Sequence, residues 1–183
     1  MDKKFTLPTM LTWFRIASVP FFVAVYCLPD ATISIQHKNY LATTIFIFAA
    51  ITDYFDGYLA RLLKQESSFG AFLDPVADKA LVASALIILI QLHRTFISAA
   101  IIIIVREITI SALREWMAQL GNTKSTAVHY MGKLKTTLQF CAITLLLLDN
   151  HTNILGNVFM VLAVIFTIIS MLYYLEQAKK YTS

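Results

Sequence analysis

Charge is what this sequence has least of. Asp, Glu, Lys and Arg together make up 14% of its 183 residues, against 58% hydrophobic. Soluble domains carry about 25% charge. With a mean hydropathy of +0.68, the chain reads as a polytopic membrane protein, without room for a sizeable soluble domain beside several spans. Cysteine is almost as scarce. Cys27 and Cys141 lie far apart inside apolar segments, which excludes a disulfide framework and any cysteine metal spacing, so both read as reduced packing residues. His37, His93 and His151 are isolated in expected outer turns, again without metal-ligand spacing. Repeats and low-complexity segments are absent. No small-residue cleavage site follows the Met1-Asp2-Lys3-Lys4 start, so the first apolar segment is expected to be retained rather than removed as a signal peptide.

What the chain does have is long apolar stretches. Six candidate transmembrane helices fall near residues 9–28, 41–61, 72–92, 96–117, 127–148 and 153–175, each about 20 residues as a bilayer crossing requires. The expected fold is all-α, a single transmembrane domain over 1–183 with a short interfacial segment at the N-terminus, where Trp13 suits the headgroup level. Only the sixth segment has a charge-free run longer than 18 residues. Of fifteen Lys and Arg, only Lys38 and Arg94 fall outside if the N-terminus is inside. That bias places both termini in the cytoplasm. The formal charge of +4 therefore marks a membrane face, the aromatics read as packing rather than base-stacking residues, and no nucleic-acid partner is expected.

Charge concentrates from Asp53 to Asp78: D-Y-F-D-G-Y-L-A-R-L-L-K-Q-E-S-S-F-G-A-F-L-D-P-V-A-D. On a helix, Asp53, Asp56, Gly57, Ala60 and Arg61 stand at i, i+3, i+4, i+7 and i+8, one face. Asp74 and Asp78 form an i, i+4 pair on the next helix, with Gly70 one turn earlier. A turn near residues 62–69 brings the two faces together. Four carboxylates so placed repel one another, and one or two divalent cations are the natural compensation. All-oxygen ligands favour Mg²⁺ or Mn²⁺. Gly57 and Ala60 leave a groove for a flat ligand against the backbone, and Arg61 can pair with a phosphate. Ser67 or Ser68 is placed to cap the second helix, and Pro75 to kink it.

Asp53-x-x-Asp56-Gly57-x-x-Ala60-Arg61, eight residues, then Gly70-x-x-x-Asp74-x-x-x-Asp78 resembles the signature of the CDP-alcohol phosphatidyltransferase family, with all eight fixed positions present. The likeness extends along nearly the whole chain. The stretches P-T-M-L-T-W-F-R and R-E-I-T-I-S-A-L-R-E-W-M-A look like the bacterial members whose acceptor is glycerol 3-phosphate. Thr9 departs from the pattern, which often has Asn there. The resemblance implies a six-helix homodimer in the bacterial cytoplasmic (inner) membrane, its site facing the cytoplasm. It implies phospholipid biosynthesis: a phosphatidyl group passes from CDP-diacylglycerol to glycerol 3-phosphate, giving phosphatidylglycerophosphate and CMP. It further implies that Asp53, Asp56 and Asp74 hold two divalent cations on the donor pyrophosphate. Asp78 would be the general base, also touching a metal. Gly57, Ala60 and Gly70 would accommodate the donor and Arg61 its phosphates.

An acceptor phosphate needs cations. Arg106 and Arg114 are eight apart, about 80° around a helix, and with Lys133 and Lys135 they make an expected anion pocket beside the carboxylates. For Arg106 a ligand role is favoured over an ion pair with Glu107 and a neighbouring helix. Thr12 and Arg15, three apart on one face, are further candidates, with Arg15 open between a topology anchor and a substrate role. Other readings also stay open: a sister transferase using inositol phosphate, serine or phosphatidylglycerol, and a cation transporter using the aspartates as an ion path.

Overall fold

A computed structural model describes residues 7–63, 68–119, 129–149 and 152–179. Among the described residues there are six α-helices and no strand: α1 (Leu7–Cys27), α2 (Ile35–Leu63), α3 (Ser68–Gln91), α4 (Ile97–Gln119), α5 (His129–Leu148) and α6 (Asn153–Lys179). The all-α expectation holds. Among the described residues one helix, α6, is long and apolar enough to cross a membrane, over Asn153–Glu176 with mean hydropathy 2.5. Among the described residues, the apolar stretches of α1 and α5 are shorter, Thr12–Cys27 and Leu134–Leu148. Hydroxyls along the helices turn inward on their own backbone: Thr43 Oγ1 donates to the Asn39 carbonyl at 2.7 Å, Thr109 to Val105 at 2.8 Å and Thr144 to Phe140 at 2.8 Å. Such bonds let a polar residue sit in an apolar helix without a stranded donor.

The chain divides into two compact units, Met1–Ile88 and Leu89–Ser183. In the first, α1 and α2 run antiparallel. Phe22, fully buried, lies 6.5 Å from the ring of Phe46 and edge-on to Tyr26 at 6.2 Å. Ala42 and Ala49, also buried, let α1 approach. The turn between them is tight, with Thr32 N–H on the Pro29 carbonyl at 3.0 Å. Here α2 begins at Ile35, not near 41 as hydropathy suggests. Its first turn, I-Q-H-K-N, is polar, but Lys38 and Asn39 are buried in it. Lys38 Nζ donates to the Leu28 carbonyl at 2.5 Å and to Asp30 at 2.6 Å, and Asn39 Oδ1 accepts from Tyr26 at 3.2 Å. The expected outer loop is therefore shorter. In α3 the helix continues through Pro75.

In the second unit α4 packs parallel to α6, with Ile110 against Tyr174 and Leu113 and Met171 beside them. Helices α5 and α6 are antiparallel across a short turn. Gly156 makes their close approach possible: a Cβ there would lie 2.8 Å from Leu146 Cγ. Two helices end on non-glycine residues in the left-handed region, His93 (φ 56°) after α3 and Asp149 (φ 53°) after α5. At His93 the motif is Schellman-like, with Arg94 N–H on the Leu89 carbonyl and His93 N–H on Ile90, both 2.9 Å. Arg94 then links the two ends. Its guanidinium donates to the carbonyls of Leu146 and Leu147 and pairs with Asp149 at 2.8 Å, satisfying carbonyls that a helix terminus leaves open. Asn157 Nδ2 returns a bond to the Arg94 carbonyl at 3.2 Å.

Candidate active site

The signature lies on two continuous helices. α2 runs unbroken to Leu63, so Asp53, Asp56, Gly57, Ala60 and Arg61 share one helical backbone, and α3 starts at Ser68, so Gly70, Asp74 and Asp78 share another. The side chains of Asp53, Asp56, Ala60, Arg61 and Asp74, with Gly57 and Gly70 at their helical positions, lie outside the described residues. Thr9 lies outside them in the same way.

Asp78 is described, and it has a partner that spacing does not foretell. Arg15 Nη1 on α1 donates to Asp78 Oδ1 at 2.8 Å. The arginine side chain is 1% exposed and the aspartate 47%. Arg15 sits on the buried face of α1 between Thr12 and Ser18, both also buried. Ser18 Oγ donates to the Arg15 carbonyl at 2.6 Å. The placement of Arg15 does not suit the topology-anchor reading. An anchor keeps its charged head in water, and this one is in the interior with a carboxylate.

The basic residues form a second cluster, within the second unit. Arg106 and Lys135 are both buried. Arg106 Nη1 meets Glu107 Oε1 at 3.3 Å, Lys135 Nζ bonds the same oxygen, and Arg106 Nη2 donates to Ser170 Oγ on α6 at 2.9 Å. The structure thus shows Arg106 in the ion pair with Glu107 and a neighbouring helix that the sequence reading ranked second. A buried guanidinium requires a counter-charge, and the nearest one in the chain supplies it. Glu107 and Ser170 were not among the expected site residues. The signal for Glu107 was its place beside Arg106 in an otherwise apolar run. The side chains of Arg114 and Lys133 lie outside the described residues.

Away from these clusters, His37 Nδ1 is 2.7 Å from Ser34 Oγ at the start of α2, and His93 occupies the turn after α3. His37 lies within the first turn of helix α2 and His93 in the turn after α3. Among the described residues no three His, Cys, Asp or Glu come together.

Comparison with known proteins gives concordant matches. The family model described as CDP-alcohol phosphatidyltransferase matches residues 5–169. A CDP-diacylglycerol–glycerol-3-phosphate 3-phosphatidyltransferase of Haemophilus influenzae is 47% identical over 180 residues, covering 96% of this chain and 95% of its own length. The proteins of that name from Pectobacterium atrosepticum and Escherichia coli strain K12 are 44% and 45% identical, covering 96% of both chains in each comparison.

Proposed function

The chain belongs to the CDP-alcohol phosphatidyltransferase family, and from that premise we propose that it transfers the phosphatidyl group of CDP-diacylglycerol to glycerol 3-phosphate. The observation that carries this reading is the end-to-end likeness to relatives named for that reaction, together with the complete eight-position signature. The products are phosphatidylglycerophosphate and CMP, and the role is a step of phospholipid biosynthesis. The setting is the bacterial inner membrane, with six spans, both termini and the site on the cytoplasmic side, and a homodimer as the assembly. Support for the orientation is the skew of Lys and Arg.

The donor set suits hard cations. Asp53, Asp56, Asp74 and Asp78 offer only oxygen, and Asp78 is half-open with one oxygen on Arg15. These four would hold two Mg²⁺ or Mn²⁺, which when bound offset charge on the donor pyrophosphate. The chain's residues do the rest. Gly57, Ala60 and Gly70 leave space for the donor beside the helix backbone, and Arg61 pairs with its phosphates. Asp78 accepts the proton of the acceptor hydroxyl. That oxygen forms a bond to the β-phosphorus, and the bond from this phosphorus to the bridging oxygen breaks, releasing CMP. A free aspartate is a weak base, so placement matters as much as basicity. Arg106, Arg114, Lys133 and Lys135 hold the acceptor phosphate, with Glu107 keeping Arg106 and Lys135 together until it arrives.

The test is CMP release by the purified protein in detergent with CDP-diacylglycerol and Mg²⁺ or Mn²⁺. Glycerol 3-phosphate, inositol phosphate, serine and phosphatidylglycerol are offered separately. Release with glycerol 3-phosphate alone is expected. Release with another acceptor instead would move the assignment of the basic residues, and metal flux without CMP would overturn the transferase reading.

A further inference from the structure

We infer that Arg15 is the positioning residue of Asp78: it holds the carboxylate of the general base in one orientation without itself touching either substrate. The inference rests on the reading of Asp78 as that base. The two partners differ in a way that suits the division of labour. Arg15 is 1% exposed, enclosed on the buried face of α1 with Thr12 one turn before it and Ser18 one turn after. Its guanidinium has little freedom, and a side chain so enclosed is not placed to meet a soluble acceptor or a lipid headgroup. Asp78 is 47% exposed, open enough to receive a proton from a substrate. Left alone, a half-exposed aspartate on a helix samples several rotamers. The 2.8 Å bond from Arg15 Nη1 to Oδ1 is charge-assisted, and the planar guanidinium fixes its direction.

Orientation is what the chemistry needs from this carboxylate. A general base works within about 3 Å of the proton it takes, and misplacement by about 1 Å costs roughly 100-fold in rate. The bond reaches across 63 positions of sequence, from α1 to α3. An N-terminal helix outside the eight-position signature thereby acts on the last residue of that signature. The neighbours of Asp78 agree. Ala77 and Leu81 on α3 are buried, so the backbone that carries the base is packed, and Arg15 restrains its side chain.

The experiment uses the full chain in detergent and compares Arg15→Gln, Arg15→Lys, Asp78→Asn and the Arg15→Gln/Asp78→Asn double variant. CMP release gives kcat and KM, and equilibrium binding of CDP-diacylglycerol in the presence of Mn²⁺ is measured separately. For Arg15→Gln the expected kcat is roughly 100-fold lower, with glycerol 3-phosphate KM and CDP-diacylglycerol affinity within about twofold. Lysine keeps the charge but loses the fork and recovers about tenfold of that loss. The double variant is no slower than Asp78→Asn alone, since the two residues act as a unit. Wild-type kcat in Arg15→Gln, or in Arg15→Lys where the glutamine variant does not fold, overturns the inference. A parallel loss of kcat and CDP-diacylglycerol binding also overturns it and makes Arg15 a structural strut. Wild-type turnover in Asp78→Asn sinks the general-base reading itself, a result distinct from both.

Discussion

In the first unit the Arg15 guanidinium meets the Asp78 carboxylate, and the carboxylate stays half-open. In the second, two buried cations, Arg106 and Lys135, converge on one oxygen of Glu107, while Ser170 holds the other arm of the guanidinium. Both join buried cations to a carboxylate, but the arrangements differ. A carboxylate that is 47% exposed is open to other work. A three-member cluster tied to α4, α5 and α6 uses the carboxylate as a hub, and its side chain is only 26% exposed. Buried cations of either unit require a counter-charge. What surrounds the counter-charge decides whether it is free for chemistry or occupied with holding helices together.

The largest expected effect tests the open pair. Asp78→Asn keeps the shape and loses the base, so CMP release should fall by about a thousandfold, and melting in detergent should also drop because the buried Arg15 loses a counter-charge. Retained turnover would erase the contrast between the units. Next comes the hub. Glu107→Ala strands two buried cations and should cost about 3 kcal/mol of stability, read by unfolding in detergent. Unchanged stability would show that the cluster is not a hub. Lys135→Ala separates structure from ligand within that cluster. A charge-assisted bond to the acceptor phosphate is worth about 2 kcal/mol, so the KM for glycerol 3-phosphate should rise more than tenfold with CDP-diacylglycerol binding little altered. Equal loss of both would give the lysine a structural role alone. Gly156→Ala probes packing in the same unit without touching charge. Its new methyl would meet Leu146 at 2.8 Å and should cost about 1–2 kcal/mol. Smallest is Ser170→Ala, about 1 kcal/mol for one hydrogen bond, and a null result there would free Arg106 from α6.

The helices that carry the signature were legible because helical periodicity is local. Asp53, Asp56, Gly57, Ala60 and Arg61 follow the helical period, and α2 is a helix over all of them. The start of α3 at Ser68 was likewise readable from a cap. The partner of Asp78 was not, because 63 residues separate it from Arg15 and no periodicity spans that distance. Lys38 and Arg94 were read as outer charges, and that both are buried donors to carbonyls at helix ends was not foreseen. Hydropathy averages over a window and cannot see one carbonyl that needs a donor. The stops at His93 and Asp149 were hidden for another reason: the left-handed turn usually announces itself by glycine, and neither position has one.

By itself, then, the sequence determined the helical class, the apolar character and the eight spaced positions that mark the family, since each depends on hydrogen bonds and periodicities within a few residues. The tertiary structure alone decided which charge meets which. Arg15 went to Asp78, Arg106 and Lys135 to Glu107, and Arg94 to Asp149. The physical reason is that a buried charge is stable only beside its opposite, and which opposite lies within 3 or 4 Å is settled by how helices pack, not by their order along the chain.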